Sequence, residues 1–514
     1  MNLLRSAATV GGTTFLSRIL GFLRDMMVAS AIGSGPIADA FFVAFRFPNM
    51  FRSIFAEGAF NSAFVPLFAK HLEGEGEVSA RRFAEEATSV LLFALLVMTV
   101  LAMIFMPALM HVFAPGFGDD PQKRLWAVQF SRITFPYLLF ISLTAVQAGI
   151  LNSLGRFFPG AAAPVMLNVT MICALFFVVP LSANPGLVLS WGVAIAGVVQ
   201  FIWLAISCQR AGMTLHLRWP RMTPDVKRLL KLGVPGVIAG GIGQVNLTIG
   251  TMIATLQAGA VSWLYYADRI YQLPLGVVGI AIGVVLLPDL SRRLRAKDDA
   301  GAHRSLNRAL EFAMLLTLPA AVALAIIPHD IIKVLFERGR FHAGDTQATA
   351  LALAIYAVGL PAFVANKVLS PAFFARENTK TPLKFAGISV IINVASSFTL
   401  FQFFGFAGIA AGTTIAAWAN VLLLGACLWR QGHFTPDAQL TRRMPLILLA
   451  STGMGAALWV GSLALAPAFA LHFVASVSVL AGLIVGGMVV YAGFCQFTGA
   501  MSLGDLRRAI SRKS

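Results

Sequence analysis

Long apolar runs recur along nearly the whole chain, broken only by short polar turns, and no other feature narrows the possible folds so far. Fourteen runs can be traced between turn signals, centred near residues 20, 52, 96, 138, 170, 198, 243, 275, 318, 358, 392, 418, 456 and 484. About 20 apolar residues carry a helix across a bilayer, so 514 residues accommodate that many spans with short connections. Only 12% of the residues are charged, about half the share of a soluble protein. The expectation is an all-α polytopic membrane protein of about fourteen transmembrane helices.

The run at 38–69 is the weakest by hydropathy and that at 471–497 among the strongest. From Thr13 to Phe64, two membrane-length helices joined by the turn Ile32-Gly33-Ser34-Gly35-Pro36 carry Arg18, Arg24, Asp25, Asp39, Arg46, Arg52 and Glu57. Near the centre of a lipid-facing helix each would cost roughly 2.5–3.5 kcal/mol. They are therefore expected to face one another or a water-filled cavity. Arginine outnumbers acid there, so such a cavity is built to hold something negative.

The formal charge of +17 does not call for nucleic acid, because the positive residues fall mainly in alternate loops. Connections after the even-numbered spans carry Lys70, Arg81 and Arg82, then Arg156, Arg218 with Arg221, Arg292 with Arg293 and Arg295, Arg376 with Lys380, and Arg442 with Arg443. The tail adds Arg507, Arg508, Arg512 and Lys513. Most of the intervening loops carry none. Two depart from the pattern: Lys123 and Arg124 after span 3, and Lys333, Arg338 and Arg340 after span 9. The balance places both termini in the cytoplasm. Arg18, Arg24 and Asp25 interrupt what would be the apolar core of a cleaved signal, so the first helix reads as retained. Cys173, Cys208, Cys427 and Cys495 form no C-x-x-C pair and read as small core residues.

The chain also repeats itself. Pro136 and Asn168 recur 225 positions on as Pro361 and Asn393, and FFVAFRFPNMFR around Pro48 matches YYADRIYQLPLG around Pro274 at an offset of 226. Residues 1–222 and 223–440 thus read as two six-helix lobes inserted the same way round, with 441–514 holding two additional spans and the basic tail. Parallel repeats of this kind belong to transporters, with the site between the halves.

Helical spacing sorts the interior polar groups. Ser17 and Arg24 are seven apart, as are Arg18 and Asp25; Asn49 and Arg52 share one face of span 2, Ser53 and Glu57 the next. In the second half the charge falls on Asp268 and Arg269. Arg24, Arg52 and Arg269 suit a phosphate or pyrophosphate, since guanidinium stays charged and grips oxyanions with a bidentate fork. The competing reading is a set of structural ion pairs such as Arg18–Asp25 and Asp268–Arg269. No cofactor or metal is implied: G-x-x-x-x-G-K-[ST], H-E-x-x-H and G-x-S-x-G are absent, and Asp119-Asp120 and Asp298-Asp299 do not extend to a D-D-x-x-D. A lipid-processing enzyme is correspondingly disfavoured. A scaffold protein would not need buried charge.

The segments SRILGFLRD, ADAFFVAFRFPNMFRSIFAEGAF, FPYLLFISL, SWLYYADRIYQLPLGVVGIAIGVVLLP and NTKTP resemble those of the MviN-type lipid II flippases, the MurJ family, within the multidrug/oligosaccharidyl-lipid/polysaccharide exporter superfamily. The resemblance runs from residue 1 to about 430 and weakens in the last two spans. It implies a non-enzymatic flippase of the bacterial inner membrane that carries lipid II, the polyprenyl-diphosphate-linked peptidoglycan precursor, to the periplasmic leaflet by alternating access. It implies substrate binding by Arg18, Arg24, Arg52 and Arg269 and a part for Asp39. Ser17, Asp25, Asn49, Glu57 and Asp268 are then expected to shape the cavity and its gates. Spans 13 and 14 would supply a groove for the polyprenyl tail, and membrane lipids and the cell-wall synthesis or division machinery are the further partners implied. The acidic sodium ligands of some family members have no counterpart here, where span 11 offers Asn393 and Ser397 and span 7 offers Asn246. The alternatives within the superfamily are a flippase for another polyprenyl-linked polysaccharide and a drug/cation antiporter; an antiporter would favour carboxylates over arginines.

Overall fold

The computed structural model describes residues 3–53, 61–470 and 472–500, and among them no strand occurs. The helices are α1 (Leu3–Ile32), α2 (Pro36–Arg52), α3 (Asn61–Glu75), α4 (Glu77–Ile104), α5 (Met106–Phe113), α6 (Pro121–Thr134), α7 (Tyr137–Ser153), α8 (Phe158–Cys173), α9 (Pro185–Arg210), α10 (Pro224–Ala254), α11 (Ala260–Arg295), α12 (Asp299–Ile326), α13 (Pro328–Phe336), α14 (Ala343–Phe374), α15 (Lys380–Phe404), α16 (Phe406–Arg430), α17 (Ala438–Leu465) and α18 (Phe473–Thr498). Among the described residues, ten segments are long and apolar enough to cross a membrane: α4, α6 with α7, α8, α9, α12 and α14 to α18. The remaining runs expected from sequence coincide with α1, α2 with α3, α10 and α11. There charge, proline or glycine dilutes the apolar character. Pro136 separates α6 from α7, whereas its repeat partner Pro361 lies inside an unbroken α14.

The chain resolves into two compact units. One holds the described residues up to Ser262 together with Arg338–Phe341. Its core stacks Phe64 on Phe68 and on Phe83, with Val146, Ile150, Met213 and Leu229 around them. The segment after α9 is strapped to α4: His216 N–H donates to Glu85 Oε1 at 3.1 Å, Arg218 N–H donates to Ser89 Oγ at 3.0 Å, and the Arg218 guanidinium pairs with the buried Glu85. The α1–α2 turn meets residues 339–340 backbone to backbone, with Arg340 N–H donating to Ser30 O at 2.9 Å. Both sides of that meeting are glycine with positive φ. A Cβ on Gly33 would lie 2.2 Å from Arg340 O, and one on Gly339 would lie 2.3 Å from Ser30 O. Gly33→Ala is therefore expected to cost on the order of 2 kcal/mol or more, read as a lower apparent melting temperature of the purified protein.

The other unit begins at Trp263. Tyr266 packs on Phe336, and Tyr271 stacks on Tyr356. α17 and α18 are anchored on α12. Glu311, largely buried, pairs with Arg443 at 2.6 Å; Asp437 caps α17 through Leu440 N–H at 2.7 Å and pairs with Arg308; Tyr491 O–H donates to Leu315 O at 2.7 Å. Burial acts to raise the Asp437 pKa, but the Leu440 N–H and Arg308 outweigh it and hold the carboxyl below its usual range. Cys208 and Cys495 are core residues, as expected, whereas Cys427 is half-buried and Cys173, the last residue of α8, is exposed.

Candidate functional site

α1 and α8 are stitched together by polar groups at the level where the sequence places its first arginines. Arg24 is 7% exposed and Asp25 3% exposed. Arg24 donates to Asp25 Oδ1 through Nε at 3.0 Å and Nη2 at 2.7 Å, and through Nη1 to Asn168 Oδ1 at 3.0 Å. Asn168 in turn donates to Ser17 O at 2.8 Å, and Phe45 places its ring 5.9 Å from the guanidinium. The Arg18–Asp25 pair of the structural alternative is not formed, because Asp25 is turned to its neighbour Arg24; Arg18 is exposed and carries no ion pair among the described residues. The fork of Arg24 is thus held in one orientation by groups on two helices.

On α2, Asn49 and Arg52 do share a face: Arg52 Nε donates to Asn49 Oδ1 at 3.2 Å, and Asn49 donates to Phe45 O. Both are half-buried. Arg46 donates to Thr251 Oγ1 of α10, and Gln244 donates to Ser53 Oγ at 3.0 Å, so α10 lies along α2 through polar contacts. Glu57 lies outside the described residues, as do the tail's basic residues. In the second unit, Arg269 Nη2 donates to Tyr265 Oη at 2.9 Å with its guanidinium 4.7 Å from that ring, and Asp268 accepts from Gln272. Among the described residues no group of three or more His, Cys, Asp or Glu is placed to hold a metal ion.

Asp39 is a heavily engaged acid of the first unit. Fully buried, it accepts from Lys123 Nζ at 2.7 Å, from Gly259 N–H at 2.8 Å, and from Ser262 N–H and Oγ at 3.1 and 2.6 Å. Lys123 is itself buried and sits 4.3 Å from the centre of the Phe117 ring. One carboxylate therefore ties α2, the start of α6 and the α10–α11 turn. Alongside, Gly116 N–H donates to Thr255 Oγ1 at 3.2 Å. This explains one departure from the loop-charge pattern, since Lys123 is a neutralised internal charge rather than a free loop cation. Arg338 is half-buried too, and burial lowers its pKa. Lys123 and Asn168 are the residues that sequence reasoning undervalued. The signal for Lys123 was its place in the wrong loop, and for Asn168 an amide inside an apolar run.

The model of the lipid II flippase MurJ family matches residues 28–480. The chain belongs to this family. MurJ relatives align along its entire length: a protein of Rhizobium meliloti (strain 1021), named "Probable lipid II flippase MurJ", is 48% identical over 520 residues, covering 100% of this chain and 97% of the relative. The lipid II flippase MurJ of Burkholderia cenocepacia is 37% identical over 445 residues, 85% of this chain and 86% of that one. Among solved structures, a MurJ in an inward closed conformation superposes with a TM-score of 0.78 at 25% identity, covering 95% of this chain and 98% of the other. An inward-facing MATE family transporter shares the fold, with a TM-score of 0.69 at 15% identity. The MurJ fold thus accounts for an all-helical, multi-pass membrane chain.

Proposed function

We propose that this protein flips lipid II from the cytoplasmic to the periplasmic leaflet of a bacterial inner membrane, with both termini in the cytoplasm. The observation that carries the reading is the buried Arg24 fork, aimed by Asn168 and paired with Asp25. Buried charge in a span is expensive and points to a functional use: the substrate's diphosphate exchanges with Asp25 on the guanidinium. Arg18, Arg24, Arg52 and Arg269 bind the diphosphate of the substrate. Ser17, Asp25, Asn49, Glu57 and Asp268 shape the cavity, and the Asp39 hub closes one side of it during alternating access. The lobes at 1–222 and 223–440 carry the movement, and the helices of 441–514 receive the polyprenyl tail.

The test is to deplete the protein in its host and measure how much lipid II an enzyme added outside spheroplasts cleaves. Outer-face lipid II should collapse on depletion, return with the parent gene, and fail to return with Arg24→Ala at normal membrane level. Unchanged outer-face lipid II on depletion would move the polysaccharide-lipid reading to first place.

A further inference from the structure

The C-terminal part of α11 and the N-terminal part of α12 enclose a cleft of about 440 Å³ within the second unit. We propose that it is a binding site for an anionic glycerophospholipid of the leaflet at which α11 ends, separate from the transported substrate. The cleft has one charged end and one apolar end. α11 lines it with Val285, Leu286 and Arg293, α12 with Arg304, Arg308 and Phe312. Val285 to Arg293 and Phe312 to Arg304 are each eight residues, about 12 Å at 1.5 Å per residue. Each helix therefore sets an arginine at the membrane surface and an apolar group about 12 Å deeper. Val285 is 64% exposed and Phe312 45% exposed, so the deep end opens towards lipid.

The arginines differ in what they already hold. Arg293 is bonded to Asp289 at 2.8 Å and to Asp298 at 3.3 Å, and Ser305 Oγ donates to the same Asp289 oxygen at 2.7 Å. Arg308 is paired with Glu311 and Asp437. Arg304 is exposed and has no ion pair among the described residues. Arg295 and Lys297, also exposed, add further positive charge to the same hairpin. Asp289 also lines the cleft but is taken up by Arg293 and Ser305, so a phosphodiester would pair with the Arg304 guanidinium, while its acyl chain would cover Leu286, Val285 and Phe312. A soluble phosphate would make no contact with that apolar end. A choline headgroup would bring its own cation against the arginines.

The experiment is native mass spectrometry of the purified full chain with equal amounts of phosphatidylglycerol and phosphatidylcholine. The parent protein should retain phosphatidylglycerol preferentially. Arg304→Ala, which breaks no hydrogen bond or ion pair among the described residues, should lower that retention about fivefold with phosphatidylcholine unchanged, the loss expected for one surface cation. Val285→Trp, which fills the slot without touching a charge, should lower it as well. Equal retention of the two lipids by the parent, or no effect of Arg304→Ala, would overturn the proposal. So would displacement by glycerol 3-phosphate alone, which would mark a soluble-anion site. Loss of lipid II transport in Arg304→Ala, together with displacement by a polyprenyl diphosphate, would reassign the cleft to the transported lipid. Because transport is measured separately, failure of the flippase reading leaves the lipid-retention result standing.

Discussion

Asp39→Ala is expected to destabilise the protein by about 3–5 kcal/mol, the range for removing one partner of a buried ion pair. Lys123 would be left charged and buried, and the Gly259 and Ser262 N–H groups would lose their acceptor at the same time. Asp39→Asn keeps the shape but offers a single acceptor oxygen, and it turns an amide donor towards other donors. Its cost should be smaller but still clear. Lys123→Met removes the cation alone and leaves the carboxylate with its backbone and hydroxyl donors, so it should cost less than Asp39→Ala. Combining Asp39→Asn with Lys123→Met should give a loss smaller than the sum of the two, with a coupling of about 0.5–3 kcal/mol, because the pair is no longer half-made. Thermal unfolding in detergent reads all four proteins. Equal melting of Asp39→Ala and the parent, or strict additivity in the double variant, would remove the latch role.

The same residue shows how far the sequence could be read. Apolar run length was enough to place the long apolar helices, because in lipid a backbone must satisfy its own hydrogen bonds, but it did not foresee the short α5 and α13 or the division of α6 from α7. It was also enough to single out Arg24, Asp25 and Asp39, since a charge inside a span always needs an explanation. Partners were harder to read. Arg18–Asp25 and Arg24–Asp25 both lie within reach on one helix, and the run of the sequence does not show that Asn168 of α8 meets Arg24. Likewise the spacing rule cannot pair Asp39 with Lys123, which lies 84 residues away in a different helix. Loop charge hinted at it: a lysine in a loop that should carry none is a candidate for burial. The repeat told of backbone similarity but not of its limits. Asn168 reaches across to Arg24, while its counterpart Asn393 accepts from Ser397 on its own helix at 2.8 Å. Pro136 separates α6 from α7, while Pro361 lies inside α14.

Arg24→Lys should reduce transport of the diphosphate lipid by about 10- to 100-fold while leaving the amount of folded protein unchanged. The parent guanidinium spends two donors on one Asp25 oxygen and a third on Asn168, a geometry that a lysine ammonium on a flexible stem cannot reproduce. The loss of a bidentate, charge-assisted contact is worth about 1.5–3 kcal/mol, which sets that range. Asn168→Leu keeps the charge and its carboxylate but removes the third tether, so Arg24 samples more orientations. A milder fall, roughly 3- to 10-fold, is the expected result for one neutral hydrogen bond. Asp25→Asn should act in the opposite sense on binding: with the competing carboxylate gone, Arg24 holds the substrate phosphate more tightly and releases it more slowly. Affinity should rise while turnover falls. Measuring binding and transport on the same proteoliposomes separates these outcomes. If Arg24→Lys binds and moves the lipid as the parent does, Arg24 is a tie between α1 and α8 and the diphosphate must be held elsewhere. If all three variants shift affinity and turnover as stated, exchange of Asp25 for phosphate on a preset guanidinium is the step that couples substrate arrival to movement of α1.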